Sequence, residues 1–136
     1  MIVVDASLFA AWLLEEPDHG PADAVWDIVS ADTMFVPVHW PNEVANALRR
    51  AVRAKRLSVD QIAPIAEQVS RFKIDFAAAT PPEQIGSLAL EALEHGLSTY
   101  DMLYVRIARD HEFALATIDR AMREAAGRLN VQLLPE

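Results

Sequence analysis

The apolar positions of this chain alternate between two patterns. Short runs rich in β-branched and aromatic residues, MIVV (1–4), MFVPV (34–38), a weaker IDFAAA (74–79), FALATI (113–118) and VQLL (131–134), read as strands. Between them lie longer segments of helical period: SLFAAWLL (7–14) and PADAVWDIVSA (21–31), parted by the turn-like EEPDHG, then PNEVANALRRAVRAKR (41–56), VDQIAPIAEQVSRF (59–72), PPEQIGSLALEALEHG (81–96), TYDMLYVRIARD (99–110) and DRAMREAAG (119–127). Val44, Leu48, Ala51 and Val52 share one face of the third helix, and Pro41 suits its first turn. Ser58 is placed to cap the fourth helix, which Pro64 should kink or delay. The fifth opens on prolines and closes at Gly96.

Strands separated by helices require crossover connections, hence a three-layer α/β/α sandwich around a mostly parallel sheet, built as a single domain over 1–136. In such sheets ligands bind outside the carboxyl ends of the strands, where the strand order reverses. Asp5 ends the first strand and Asp119 follows the fourth, so both carboxylates belong to one rim. Glu43 and Asp101 fall in first turns of helices that start at that rim. Singly, each acid has a structural use: Asp5 and Asp119 are suited to cap helices, and Glu43 and Asp101 complement helix dipoles. Together they conflict, since two carboxylates about 4 Å apart repel by roughly 4 kcal/mol at an effective dielectric of 20. A hard divalent cation such as Mg²⁺ or Mn²⁺, which prefers carboxylate oxygen and water, removes the conflict.

Composition narrows the chemistry. The 136 residues include no cysteine, which excludes a disulfide framework and thiolate chemistry, and any metal must be held by oxygen or imidazole. His19, His39, His95 and His111 are scattered and make no metal-ligand spacing. Four dispersed glycines form no phosphate loop or dinucleotide fingerprint, so no nucleotide cofactor is expected. No segment reads as a spanning helix or a secretory signal, and the expected location is cytoplasmic, away from membranes. A net charge of −8 argues against passive adhesion to nucleic acid. The basic residues cluster, however, with Arg49, Arg50, Arg53, Lys55 and Arg56 all on the third helix segment. Arg49, Arg53 and Arg56 are spaced as one stripe, read either as a guide for phosphate or as a solvated helix end. Arg120 beside Asp119 suggests a plain ion pair.

Four segments, IVVDAS, PNEVANAL, LSTYDMLYVRIAR and LATIDRAMREAA, occur in an order and spacing that resemble the PIN-domain ribonucleases, and among them the VapC-type toxins of bacterial toxin–antitoxin pairs. The resemblance spans the whole chain. It implies an acidic metal site at Asp5, Glu43, Asp101 and Asp119, with accessory residues Ser7, Asn46 and Thr117. The activity it implies is hydrolysis of an RNA phosphodiester by water activated with Mg²⁺ or Mn²⁺. Where some members carry another Asp soon after the last, Ala121, Met122 and Arg123 follow here, which counts against a second tightly held metal. Ser7 and Asn46 have backbone bonding as their ordinary alternative.

The resemblance further implies RNA as substrate, bound with help from Arg49, Arg50 and Arg53, a homodimer, and a cognate antitoxin protein that occupies the site. Phe9 and Trp12, on a helix apolar nearly all round, are candidates for the antitoxin contact, with core packing as their alternative. Two other functions compete: a catalytically silent PIN-like module that binds RNA or protein, and a different metal-dependent phosphoryl-transfer enzyme. The latter is disfavoured because a haloacid-dehalogenase-like site needs a second Asp where Ser7 stands, and a receiver domain needs paired N-terminal acids that are absent.

Overall fold

The computed structural model describes residues 1–15 and 20–136; His19 and most of the expected turn at 15–20 lie outside the described residues. Five strands, β1 (Ile2–Val4), β2 (Met34–Val36), β3 (Ile74–Phe76), β4 (Ala114–Ala116) and β5 (Leu133–Leu134), pair in the order β3-β2-β1-β4-β5, and every pairing is parallel. The expected α/β/α sandwich is therefore present, with a sheet wholly rather than mostly parallel. β1 is central, and its three residues are buried on both faces, which is why IVV is continuous rather than alternating.

The helices are α1 (Ala6–Leu13), α2 (Gly20–Ser30), α3 (Trp40–Arg53), α4 (Val59–Ser70), α5 (Ile85–His95), α6 (Thr99–His111) and α7 (Arg120–Arg128), with a 3₁₀ turn at Pro82–Gln84 before α5. From β1 the chain moves outward through β2 to β3, then crosses back to β4 on the other side of β1. Right-handed crossovers put α1 to α4 on one face and α5 to α7 on the other. The packing agrees: α1 contacts α2 and α3, while α6 lies against α5, α7, β1 and β4. The order reverses between β1 and β4, which are paired through Val3 with Leu115 and Val4 with Ala116.

Three expectations are corrected. α3 stops at Arg53, capped by Ala54, and Lys55 turns into the left-handed region (φ 60°), so Arg56 lies beyond the helix and the stripe from Arg49 to Arg56 is broken. The delayed start expected of α4 does not occur. The helix begins after Ser58, whose backbone N–H donates to the Gln61 side chain (2.8 Å), and it runs through the proline. No residue of α4 is fully buried, so the Asp60 carbonyl that Pro64 leaves unbonded faces water at little cost. The third correction is Phe9, which is completely buried, its ring 5.0 Å from Trp40 and 5.5 Å from Phe72, and offers no surface to an antitoxin. Trp12 is half-buried and stacks on Trp26 with ring centres 3.3 Å apart. Gly96 closes α5 with φ 66°, the left-handed stop that its position after the helical run suggests.

Candidate active site

The four acids come to the carboxyl rim of the sheet at the reversal point. Asp5 follows β1, and its N–H donates to the Ala116 carbonyl of β4 (3.0 Å), so the backbone itself fastens the two strand ends together. Its carboxylate is almost completely buried. Oδ1 accepts from the Ser7 N–H (3.2 Å), capping α1, and Oδ2 accepts from the Thr117 hydroxyl (2.9 Å). Thr117 is also fully buried, and its Oγ1 in turn accepts from the Asp119 N–H (3.1 Å). Asp119 Oδ1 accepts from the Met122 N–H (2.8 Å), capping α7. One buried hydroxyl thus links the two strand-end acids.

Glu43, in the first turn of α3, is held across the rim by α6. The Tyr104 hydroxyl donates to Glu43 Oε1 (2.7 Å) and lies 3.4 Å from the Ala6 N–H, which it accepts weakly. His39 Nε2 is 3.1 Å from the same Oε1, an ion pair when the imidazole is protonated, although Nε2 has no well-aligned hydrogen bond. Asp101 is half-buried in the first turn of α6, where Ser98 Oγ accepts from its N–H (3.1 Å).

The electrostatics identify these acids as a cluster. Burial, reinforced by the charges of Glu43 and Asp101, pushes the Asp5 carboxyl up to about 7 despite its hydrogen bonds from Ser7 and Thr117. Burial also raises Asp101, with Asp119 and Glu43 adding to the effect. Burial works in the same direction on Glu43, but His39, Tyr104 and the charge of Arg50 together hold it below the ordinary range. Among the described residues no three acidic or imidazole groups are already gathered at ligating range. The donors nonetheless fit a hard divalent cation: they are all oxygen, and their mutual repulsion is the kind that such an ion relieves.

Two openings meet at Glu43 and Asn46. One, a cleft of about 310 Å³, is lined by Ser7, Glu43, Asn46 and Arg50 between α1 and α3. The other, wider and about 520 Å³, lies between the starts of α3 and α6. Glu43, Asn46 and Arg50 occupy one helical face, so Arg50 is the arginine that lines the cleft. Arg49 is spent on Asn46, donating to its Oδ1 (3.1 Å), and Arg53 is exposed at the far end of α3. Arg120 pairs with Glu124 (3.1 Å), in place of the expected pairing with Asp119.

Sequence reasoning missed His39 and Tyr104. Tyr104 reads as one more apolar residue of α6, and its partner is 61 residues away. The available signal for His39 was its i,i+4 spacing to Glu43.

In all-parallel α/β sandwiches ligands bind in the crevice at the switch point, and it is there that these carboxylates stand. The PIN domain family model matches residues 2–128. The chain belongs to the PIN domain family. It is 30% identical over 124 residues to Ribonuclease VapC3 of Pyrobaculum aerophilum, covering 90% of this chain and 92% of that one. The crystal structure of PAE2754, also from Pyrobaculum aerophilum, superposes with a TM-score of 0.72 at 19% identity, covering 98% of this chain and 88% of that one, a likeness of fold.

Proposed function

We propose that the protein is a metal-dependent endoribonuclease, the toxin of a toxin–antitoxin pair, with Asp5, Glu43, Asp101 and Asp119 as its catalytic and metal-holding residues. The observation that carries this reading is the buried Asp5 carboxylate, driven to about 7 by burial and by the acids around it, at the rim where α/β proteins bind ligands. Family membership and the likeness to Ribonuclease VapC3 support RNA as substrate.

When bound, Mg²⁺ or Mn²⁺ supplies activation of water and neutralisation of charge on the phosphoryl oxygens. The chain's own residues arrange the rest. Both contacts to Glu43 fall on Oε1, which leaves Oε2 for a cation or for orienting water. The Thr117 hydroxyl fixes the Asp5 carboxylate and, through the Asp119 N–H, sets the spacing of the two strand-end acids. Arg50 meets substrate phosphate in the cleft, and Ser7 and Asn46 line its approach. A homodimer and a cognate antitoxin belong to the same proposal; with Phe9 in the core, an antitoxin reaches the acids through the two openings.

The test is cleavage of a structured RNA pool by purified protein with Mg²⁺ or Mn²⁺, with chelator, and with identically prepared Asp101→Asn and Asp5→Asn variants. Metal-dependent cutting that disappears in the variants is expected. Unchanged turnover in Asp101→Asn, with cutting lost in Asp5→Asn, would remove Asp101 from the site; cutting unchanged in both would overturn the nuclease reading and attribute the activity to a contaminant.

A further inference from the structure

Tyr100 stands at the mouth of the wider opening with 61% of its surface exposed. It is not a loose surface ring. His39 packs against it at 71° with ring centres 5.1 Å apart, and His39 is itself fixed edge-on to Tyr104 at 5.5 Å and beside Glu43 at 3.1 Å. A positioned aromatic ring therefore lines, with Glu43 and Asp101, a depression whose size falls within the roughly 300–1,000 Å³ of small-ligand clefts.

The rest of the lining is polar and suited to hydrogen bonding. Asn42 carries an amide able both to donate and to accept, and Ser98 Oγ, which accepts from the Asp101 N–H, still has its own proton to give. Away from the acids the lining of Asn42, Ser98 and Tyr100 carries no cation to hold a phosphate and suits a neutral ring with hydrogen-bonding groups at its edge. Arg50 lies in the other opening, beyond Glu43, where a phosphate is welcome. The two openings thus differ in chemistry, and the acid cluster lies at their junction.

We propose that the wider opening is a subsite for one unpaired base of the RNA, stacked on Tyr100 and read at its edge by Asn42, next to the phosphate that the acids address. A base inside a duplex is stacked and cannot enter, so the subsite takes a base only from an unpaired nucleotide. This rests on the RNA-cleaving reading above, and its test is one of binding.

Fluorescein-labelled single-stranded RNA hexamers, an abasic ribose-phosphate hexamer and a duplex of equal length are titrated by anisotropy in Mg²⁺. The protein is the full chain carrying Asp5→Asn to suppress cleavage. Tyr100→Ala is expected to weaken base-bearing hexamers by about tenfold, the order of one lost stacked base, and to leave the abasic hexamer unchanged. Tyr100→Trp should restore binding, and the duplex should bind more weakly than the single strand. Equal binding by Tyr100→Ala and its parent, or equal losses for base-bearing and abasic hexamers, overturns the proposal, as does absence of hexamer binding by the parent. If Tyr100→Ala spares RNA but releases a co-purified antitoxin, the ring belongs to a protein partner and the base subsite is refuted. Tyr100-dependent binding with no cleavage by the wild-type chain would sink the nuclease reading alone, and cleavage indifferent to Tyr100 would sink the subsite alone.

Discussion

Replacing Asp5 by Asn should stabilise the metal-free protein, and only above a definable pH. The Asp5 carboxyl titrates near 7 in the folded chain against an ordinary value of 3.8, because it is buried among other acids. The folded state thus holds this proton more tightly than the unfolded state does. Stability from this group is fully present below pH 4 and is lost as pH rises toward and through 7. Three pKa units at about 1.4 kcal/mol each give a cost of about 4 kcal/mol at pH 8. Asn carries no charge to desolvate but fits the Thr117 hydroxyl less well, which returns about 1 kcal/mol. The net gain of about 3 kcal/mol corresponds to a rise in Tm on the order of 10 °C for a domain of this size. Thermal melts of both proteins in chelator at pH 4 and pH 8 measure it: the variant should melt slightly below the wild type at pH 4, where only the weaker fit to Thr117 counts, and above it at pH 8. Saturating Mg²⁺ or Mn²⁺ at pH 8 should raise the wild-type Tm and narrow the gap. A variant that melts at or below the wild type at pH 8 in chelator would refute the claim that burial makes the ionised Asp5 costly to the fold.

Two further outcomes are expected. Tyr104→Phe keeps the buried ring and removes the 2.7 Å bond to Glu43; loss of a bond to a carboxylate, worth about 1.5–3 kcal/mol, should lower kcat by about 10- to 100-fold with KM little changed, whereas a rise in KM alone would show that the Glu43 it holds serves RNA binding rather than the chemical step. Arg50→Gln should raise KM severalfold and reduce the slope of log affinity against log salt by about 0.7, the share of one phosphate on a single strand; an unchanged slope would take Arg50 off the RNA path.

The rim of the sheet was legible because strands alternating with helices leave little choice: parallel strands end together, so Asp5 and Asp119 share a rim, while their adjacency depends on β1 pairing with β4, which the strands' own residues do not announce. What escaped was set by contacts distant in sequence. Phe9 lies on a helix apolar all round, and only Trp40 and Phe72 decide that its face is interior. The arginine stripe failed for a local reason. RRAVRAKR has uniform helical propensity, and nothing in it announces the left-handed turn at Lys55. Counting from Glu43 rather than from the arginines singles out Arg50, two turns on, from the three arginines expected to bind RNA. Tyr104 and His39 act through Glu43, and a residue that works by holding another carries no motif of its own.

Asp5 and Asp119 each spend one oxygen on starting a helix, through the Ser7 and Met122 N–H groups. The atoms proposed for chemistry are therefore also atoms of architecture, which bears on how an inactive form should be made for trapping bound RNA. Alanine at either position would remove the charge and also the cap, at about 1 kcal/mol for each helix start, whereas asparagine caps as well as aspartate does. Dead protein made with alanine risks reporting damage to the scaffold as loss of binding; with asparagine, whatever binding is lost belongs to the charge.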